Sequence, residues 1–321
     1  MTVTTCNLAA AMARGINMGN MLEAPLEGDW GPAFDPSWPA LVKAAGFTTV
    51  RLPIRWSNHA SVDASAVLDP TFLARVDFVL ASLQASGLKV ILDMHHYRQL
   101  DGDGLDVHEV GVDPSVVQAR AISIWKQVAA HYANQPDSVI FGLYNEPHGI
   151  QDATGTAPWN KLYPKLLAQV RATNPTRVVI IGPAYWNNPS ALATFTPSTD
   201  QNVITEIHDY EPYPFSSQGT YGTTYPLGTA FDAATMTLPF TAALDVALNW
   251  SKAHGFPMFV GEFGSNIAAP AASRVAYATM ARTALESRSM PWTAWNFDSD
   301  FAVYDTTNKV WNTALLKALT P

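Results

Sequence analysis

Cysteine is nearly missing from this chain. Cys6 is the only one in 321 residues, so no disulfide can close within it and thiol usage does not reveal a redox compartment. Charge is sparse too: Asp, Glu, Lys and Arg make up 14% of the residues, and the net charge is −8. No basic run occurs, which argues against a nucleic-acid partner, because phosphate binding needs clustered Lys and Arg. No uninterrupted apolar stretch reaches the roughly 18 residues of a membrane span. The opening MTVTTCNLAAAMARG lacks a basic segment followed by a long apolar one, so no signal peptide is visible. The expectation is an intracellular protein, or a secreted or periplasmic one whose targeting segment was removed. No GxGxxG or GxxxxGK[ST] loop is present for a nucleotide, and no HExxH or paired Cys for zinc. No linker or low-complexity block divides the chain, which reads as one domain over residues 1–321.

What is abundant is apolar. Hydrophobic residues make up 48%, with ten Trp, eleven Tyr and fourteen Phe, a globular composition with many aromatic rings. Eight short apolar runs recur: Ile16–Gly19, Thr48–Pro53, Leu88–Met94, Val139–Tyr144, Arg177–Ile181, Val203–Ile207, Met258–Gly261 and Pro291–Trp295. They are apolar throughout rather than alternating, as in parallel strands buried on both faces. Helical patterns separate them. Asp69-Pro70 predicts a capped start, Phe72, Val76, Val79, Leu80 and Leu83 follow at helical spacing, and Gly87 marks the end. Further helices are expected over Val116–Tyr132, Trp159–Arg171, Leu244–Ala253 and Ala272–Leu285. Eight strands alternating with helices predict a single (β/α)8 barrel, whose usual length is ~250 residues. A doubly wound open sheet would announce a glycine-rich phosphate loop, and none is found.

A barrel places functional side chains at the C-terminal ends of its strands. Here all eight ends are polar or aromatic: Asn17 and Asn20 with Glu23; Arg51 and Arg55; Asp93 to Tyr97 with His95 and His96; Asn145-Glu146; Tyr185-Trp186-Asn187; His208-Asp209-Tyr210; Glu262; and Trp295-Asn296. Any one polar strand end is unremarkable, but eight together would line one mouth. Glu146 and Glu262 would face each other there, and two opposed carboxyl groups are the machinery of glycoside hydrolysis. One must donate a proton and the other must be charged, so their surroundings must differ. Glu146 follows an apolar strand with no adjacent cation, which suits an acid, and Pro147 restricts the backbone that carries it. His95-His96 could suggest a metal, but neighbours on a strand point apart and no other ligand set completes a site. The stretch Asp101-Gly102-Asp103-Gly104-Leu105-Asp106 resembles a calcium loop but lacks the full pattern, and reads as a solvated turn.

The motifs RGINMGNMLEAPLEGDWG (Arg14–Gly31), VRLPIRW, DMHHY, LYNEPH, EIHDYEP, VGEFG and WTAWNFD span nearly the whole chain. Together they resemble glycoside hydrolase family 5, a family of retaining (β/α)8 glycosidases, and the opening motif is similar to its bacterial subfamily 25 of cellulases and mannanases. The resemblance implies a retaining endo-β-1,4-glucanase acting in polysaccharide degradation on β-linked glucan, with mannan as the alternative, without cofactor or metal and as a monomer. It implies Glu146 as acid/base and Glu262 as nucleophile. Arg51 and Tyr210 would hold Glu262, Asn145 would bind the sugar 2-hydroxyl, and His95 and His208 would complete the polar ring. Trp295 would stack under a sugar, while Asn20, Glu23 and His96 would bind hydroxyls farther along. A cis peptide bond is expected between Trp295 and Asn296. Ser217 stands where relatives carry a histidine, and the loop Arg98–Gln118 is longer than theirs. Both departures bear on substrate preference. The rivals are a mannanase or mixed-linkage glucanase, a glycan-binding barrel without activity, and a metal-dependent hydrolase using the histidines.

Overall fold

The computed structural model describes residues 2–105, 109–149 and 157–321. Eight parallel strands close into a barrel in sequence order: β1 Arg14–Asn17, β2 Thr49–Ile54, β3 Lys89–Met94, β4 Val139–Gly142, β5 Val179–Ile181, β6 Val203–His208, β7 Met258–Glu262 and β8 Trp292–Ala294. Closure is direct, with Arg14 to Ile16 of β1 paired with Trp292 to Ala294 of β8. Each expected apolar run overlaps one strand, with β1 starting two residues earlier than its run, so the (β/α)8 reading holds.

The helix Pro70–Ala85 starts as its sequence dictates: the Asp69 side chain accepts from the Thr71 amide at 2.7 Å, with Pro70 behind it. Several helices differ from expectation, among them Trp38–Ala44 and Thr313–Leu319, which the sequence reading did not include. Ala233–His254 begins well before Leu244, because Pro239 reads as a breaker yet the helix runs through it. Val3–Met12 was not expected, since its small residues carry no clear periodicity. It plugs the bottom of the barrel, where Ala9 and Met12 pack on Ile91, Ile140, Ile180, Ile204 and Phe259.

Those five residues form an apolar layer inside the barrel. Two positions further along a strand lies the same face, and there the chemistry changes. Asp93, Gly142, Glu206 and Gly261 occupy this upper layer with Asn17 and Arg51, and all four polar side chains are buried. The glycines are steric necessities. A Cβ on Gly142 would press on Asp93 Oδ1 at 2.5 Å, and one on Gly261 would overlap Glu206 Oε1. Gly261→Ala is therefore expected to displace Glu206 and to cost about 3 kcal/mol in urea unfolding; a loss under about 1 kcal/mol would show that Glu206 has room to move.

Candidate active site

The upper layer of the barrel is held by one guanidinium. Arg51, fully buried, donates from Nη1 to Glu262 Oε1 at 2.8 Å and to Asn17 Oδ1 at 3.1 Å, and from Nη2 to Asn145 Oδ1 at 2.6 Å. Its Nη2 also meets Asp93 Oδ2 at 3.0 Å, and its Nε lies 3.3 Å from Glu206 Oε1. Burial works against its charge, but the carboxylates of Asp93, Glu206 and Glu262 outweigh that and raise its pKa further.

Glu262 ends β7, and its two oxygens are spoken for by Arg51 and by the Tyr210 hydroxyl, which donates at 2.8 Å. Burial raises its pKa, against the opposing pull of His208 and Arg51. Glu146 lies just past β4 and is more open, its side chain 23% exposed against 7% for Glu262. One Glu146 oxygen bonds His208 Nδ1 at 2.7 Å. Carboxylate oxygens of Glu146 and Glu262 and a ring nitrogen of His208 all lie within 4.8 Å of one another. The backbone at Glu146 is left-handed, φ +48°, rather than the extended form a following proline favours. Such a conformation costs about 1–3 kcal/mol and persists where its surroundings enforce it.

His208 bridges both carboxyl groups to a third, with Nε2 at 3.3 Å from Glu206 Oε1. Burial would lower its pKa, but Glu262, Glu146 and Glu206 together raise it from 6.5 to about 10, so the ring is charged at neutral pH. His95 is the opposite case. Its Nδ1 meets Asp93 Oδ2 at 2.8 Å, yet burial, with help from His96 and Arg51, holds it well below 6.5 and neutral. His96 is pushed down to about 3 by burial and by Arg55. The two rings do not point apart as strand neighbours would. They meet edge to face at 4.2 Å, because β3 has ended at Met94 and His96 is left-handed, φ +53°.

Trp295 stacks parallel to His95, with ring centres 6.0 Å apart, and a Cβ on Gly19 would overlap the indole. The bond after it is cis, as expected from the resemblance. The Asn296 amide fixes this corner by exchanging two 3.0 Å hydrogen bonds with the Gly19 backbone. Asn20 opens onto a cleft of about 660 Å³ that also involves Trp30, Asp298 and Thr306. Glu23 is turned away from open solvent: it is buried and accepts from the amides of Asn20 and Met21. Burial raises its pKa to about 7.

At the other side of the mouth, Tyr185, Trp186 and Asn187 are three left-handed residues in a row, and the first two rings stand half exposed. Trp186 stacks on His148 at 4.6 Å. Ser217 caps a short helical turn after β6, its hydroxyl 3.3 Å from that of Ser216. The long third loop is anchored by buried Glu109, which accepts from Arg55 at 3.0 Å and Ser57 at 2.7 Å. In the acidic stretch, Asp101 is buried beside His148 rather than solvated, and Asp106 lies outside the described residues.

Sequence reasoning gave no role to Asp93 and Glu206. The signal was present in the spacing: Glu206 stands two residues before His208 near the end of β6, and Asp93 two before His95 at the end of β3.

The chain matches the profile of Cellulase (glycosyl hydrolase family 5) over residues 12–301. It belongs to that family. It is 30% identical to Endoglucanase H of Acetivibrio thermocellus over 96% of its own length, and spans 33% of that protein. The endoglucanase Cel5A of Thermotoga maritima superposes with a TM-score of 0.90 at 34% identity, over 98% of this chain and 99% of that one. The same enzyme has been solved with mannotriose, with equal similarity to this chain. The match is to the family as a whole.

The charge on His208 carries a pH prediction. Its folded pKa lies above its unfolded value, so its contribution to stability is full below pH 6.5 and lost as pH rises to about 10. Urea-unfolding free energy is expected to fall across that window and to fall less steeply in His208→Asn. Parallel slopes would mean that the ring is neutral.

Proposed function

We propose that this chain is a retaining endo-β-1,4-glucanase that cleaves internal bonds of cellulose and mixed-linkage β-glucan. The observation that carries the reading is the approach of the Glu146 and Glu262 oxygens to within 4.8 Å. Retaining enzymes hold their carboxyl groups about 5–5.5 Å apart, whereas inversion needs about 6.5–9.5 Å to seat a water between them. The endoglucanase names of its relatives agree.

Roles follow from the contacts. Glu262 is the nucleophile, because Arg51 and Tyr210 aim it and favour its charge. It attacks the anomeric carbon while the bond to the leaving oxygen breaks. Glu146, partly open to the cleft, gives that oxygen its proton. A water then attacks the glycosyl-enzyme, Glu146 takes the water's proton, and Glu262 is released. Arg51 commits the Asn145 carbonyl oxygen, which leaves the amide NH2 to donate to the sugar 2-hydroxyl. Trp295 and His95 form the floor under the sugar before the cleaved bond, Asn20 and His96 line the way beyond it, and Glu23, buried, holds the loop that carries Asn20. Every group named comes from one chain, which suits a monomer, and an insoluble polysaccharide requires an enzyme outside the cytoplasm.

A β-mannanase with the same mechanism is the second reading, favoured by the mannotriose complex of the Thermotoga enzyme. Reducing-sugar release from carboxymethyl cellulose, barley glucan and galactomannan separates the two, with release expected mainly from the glucans. Release mainly from galactomannan would keep the mechanism and change the substrate. Glu262→Gln is expected to lose roughly 10³-fold or more in kcat at an unchanged melting temperature. A variant with near-native rates would remove Glu262 from the reaction and overturn the proposal.

A further inference from the structure

Glu206 sits below the two carboxyl groups assigned to the chemistry and out of reach of a sugar in the cleft. It is 1% exposed, on the barrel-interior face of β6, with Gly261 of β7 leaving the space its carboxylate fills. A buried carboxylate at the centre of a barrel costs free energy unless it is paired. Its partners are Arg51 Nε and His208 Nε2, each at 3.3 Å from the same oxygen. His208 is thereby held at both nitrogens by carboxyl groups, Glu206 below and Glu146 above at 2.7 Å. A doubly protonated imidazole donates to both, to the Glu206 carboxylate from Nε2 and from Nδ1 to a Glu146 oxygen, while the acid's own proton sits on the other Glu146 oxygen. The ring also feels Asp93 of β3, His95 just past β3 and Glu262 of β7, so its charge is the outcome of a balance.

We propose that Glu206 is a positioning residue for the reaction, the buried anion that keeps His208 charged and its Nδ1–H directed at Glu146. The inference rests on the glycosidase reading for its kinetic consequence but not for the ion pair itself. In the first step Glu146 gives up its proton and becomes a carboxylate, and a charged His208 stabilises that product at once, without rearrangement. A neutral His208 could present its lone pair at Nδ1 instead, and would then repel the carboxylate. Glu206 decides between the two because it is the carboxylate at Nε2, whereas the Asn187 amide nitrogen, 3.3 Å from the same atom, is a donor and cannot accept that proton. The folded pKa of His208, about 10, and that of Glu206, lowered mainly by Arg51 and His208 against its burial, agree with this pairing.

The experiment is a ¹⁵N-histidine NMR titration of the native protein and of Glu206→Gln, with His208→Asn for assignment, alongside pH profiles on barley glucan. The native His208 ring should stay doubly protonated from pH 5 to 8, whether or not any glucan is cleaved. In Glu206→Gln the ring should titrate within that range, kcat should fall roughly tenfold to hundredfold with KM within about twofold, and the alkaline limb of the profile should move to lower pH. A native His208 that is neutral at pH 7 would overturn the proposal even if the variant fails to fold. So would a folded variant whose ring charge and pH profile match those of the native protein while only its melting temperature drops. Absence of glucan cleavage by the native protein, with His208 still charged, would instead count against the glucanase reading.

Discussion

The buried guanidinium of Arg51 is the constraint on which the rest of the site depends. It rises from β2 into a barrel whose lower half is hydrocarbon, and it meets carboxyl groups from β3, β6 and β7 and an amide past β4. A lone cation there would be prohibitive. Once it is present, the carboxyl groups must come to it, and glycines must stand at 142 and 261 to let them. Strand ends far apart in sequence are thus placed by one charge. Removing such a partner exposes the others to their full desolvation cost, which is why a buried network is rigid as well as expensive.

The electrostatics explain how one site can hold an acid and a nucleophile together. Two cations, Arg51 and His208, face four carboxyl groups: Asp93, Glu146, Glu206 and Glu262. Negative groups outnumber positive ones, so protons must make up part of the difference. Burial raises both Asp93 and Glu262, while Arg51 and His208 keep Glu206 charged. A site with an incomplete count of counter-ions is one in which a proton can move at low cost, and the proposed reaction moves one in each step.

Much of this was legible in the sequence. The uniform apolar runs gave the barrel because parallel strands buried on both faces leave no alternation to read. The strand-end rule then brought Glu146, Glu262, Arg51, His208 and Tyr210 to one mouth before any distance was known. Three things were not legible. The Val3–Met12 plug shows no amphipathic pattern to betray it, because its exposed side carries Val3, Cys6, Ala10 and Ala11 as well as polar residues, while Thr5 is among the three it buries. Glu206 and Asp93 stand at the spacing of His208 and His95, but what they do shows only once Arg51 is seen between them. The contact of His95 with His96 depends on a left-handed residue, and side-chain alternation assumes that none occurs. Glu23 is a milder case: its position near the mouth was readable, but its use as the acceptor for its own loop's amides was not.

The central claim is double displacement through Glu262 with Glu146 as acid and base. It is tested most directly by following the anomeric composition of freshly released cello-oligosaccharides by ¹H NMR. The β-anomer should appear first and decay to the equilibrium mixture by mutarotation. Initial release of the α-anomer would mean a single displacement, and would contradict the account whatever the substrate.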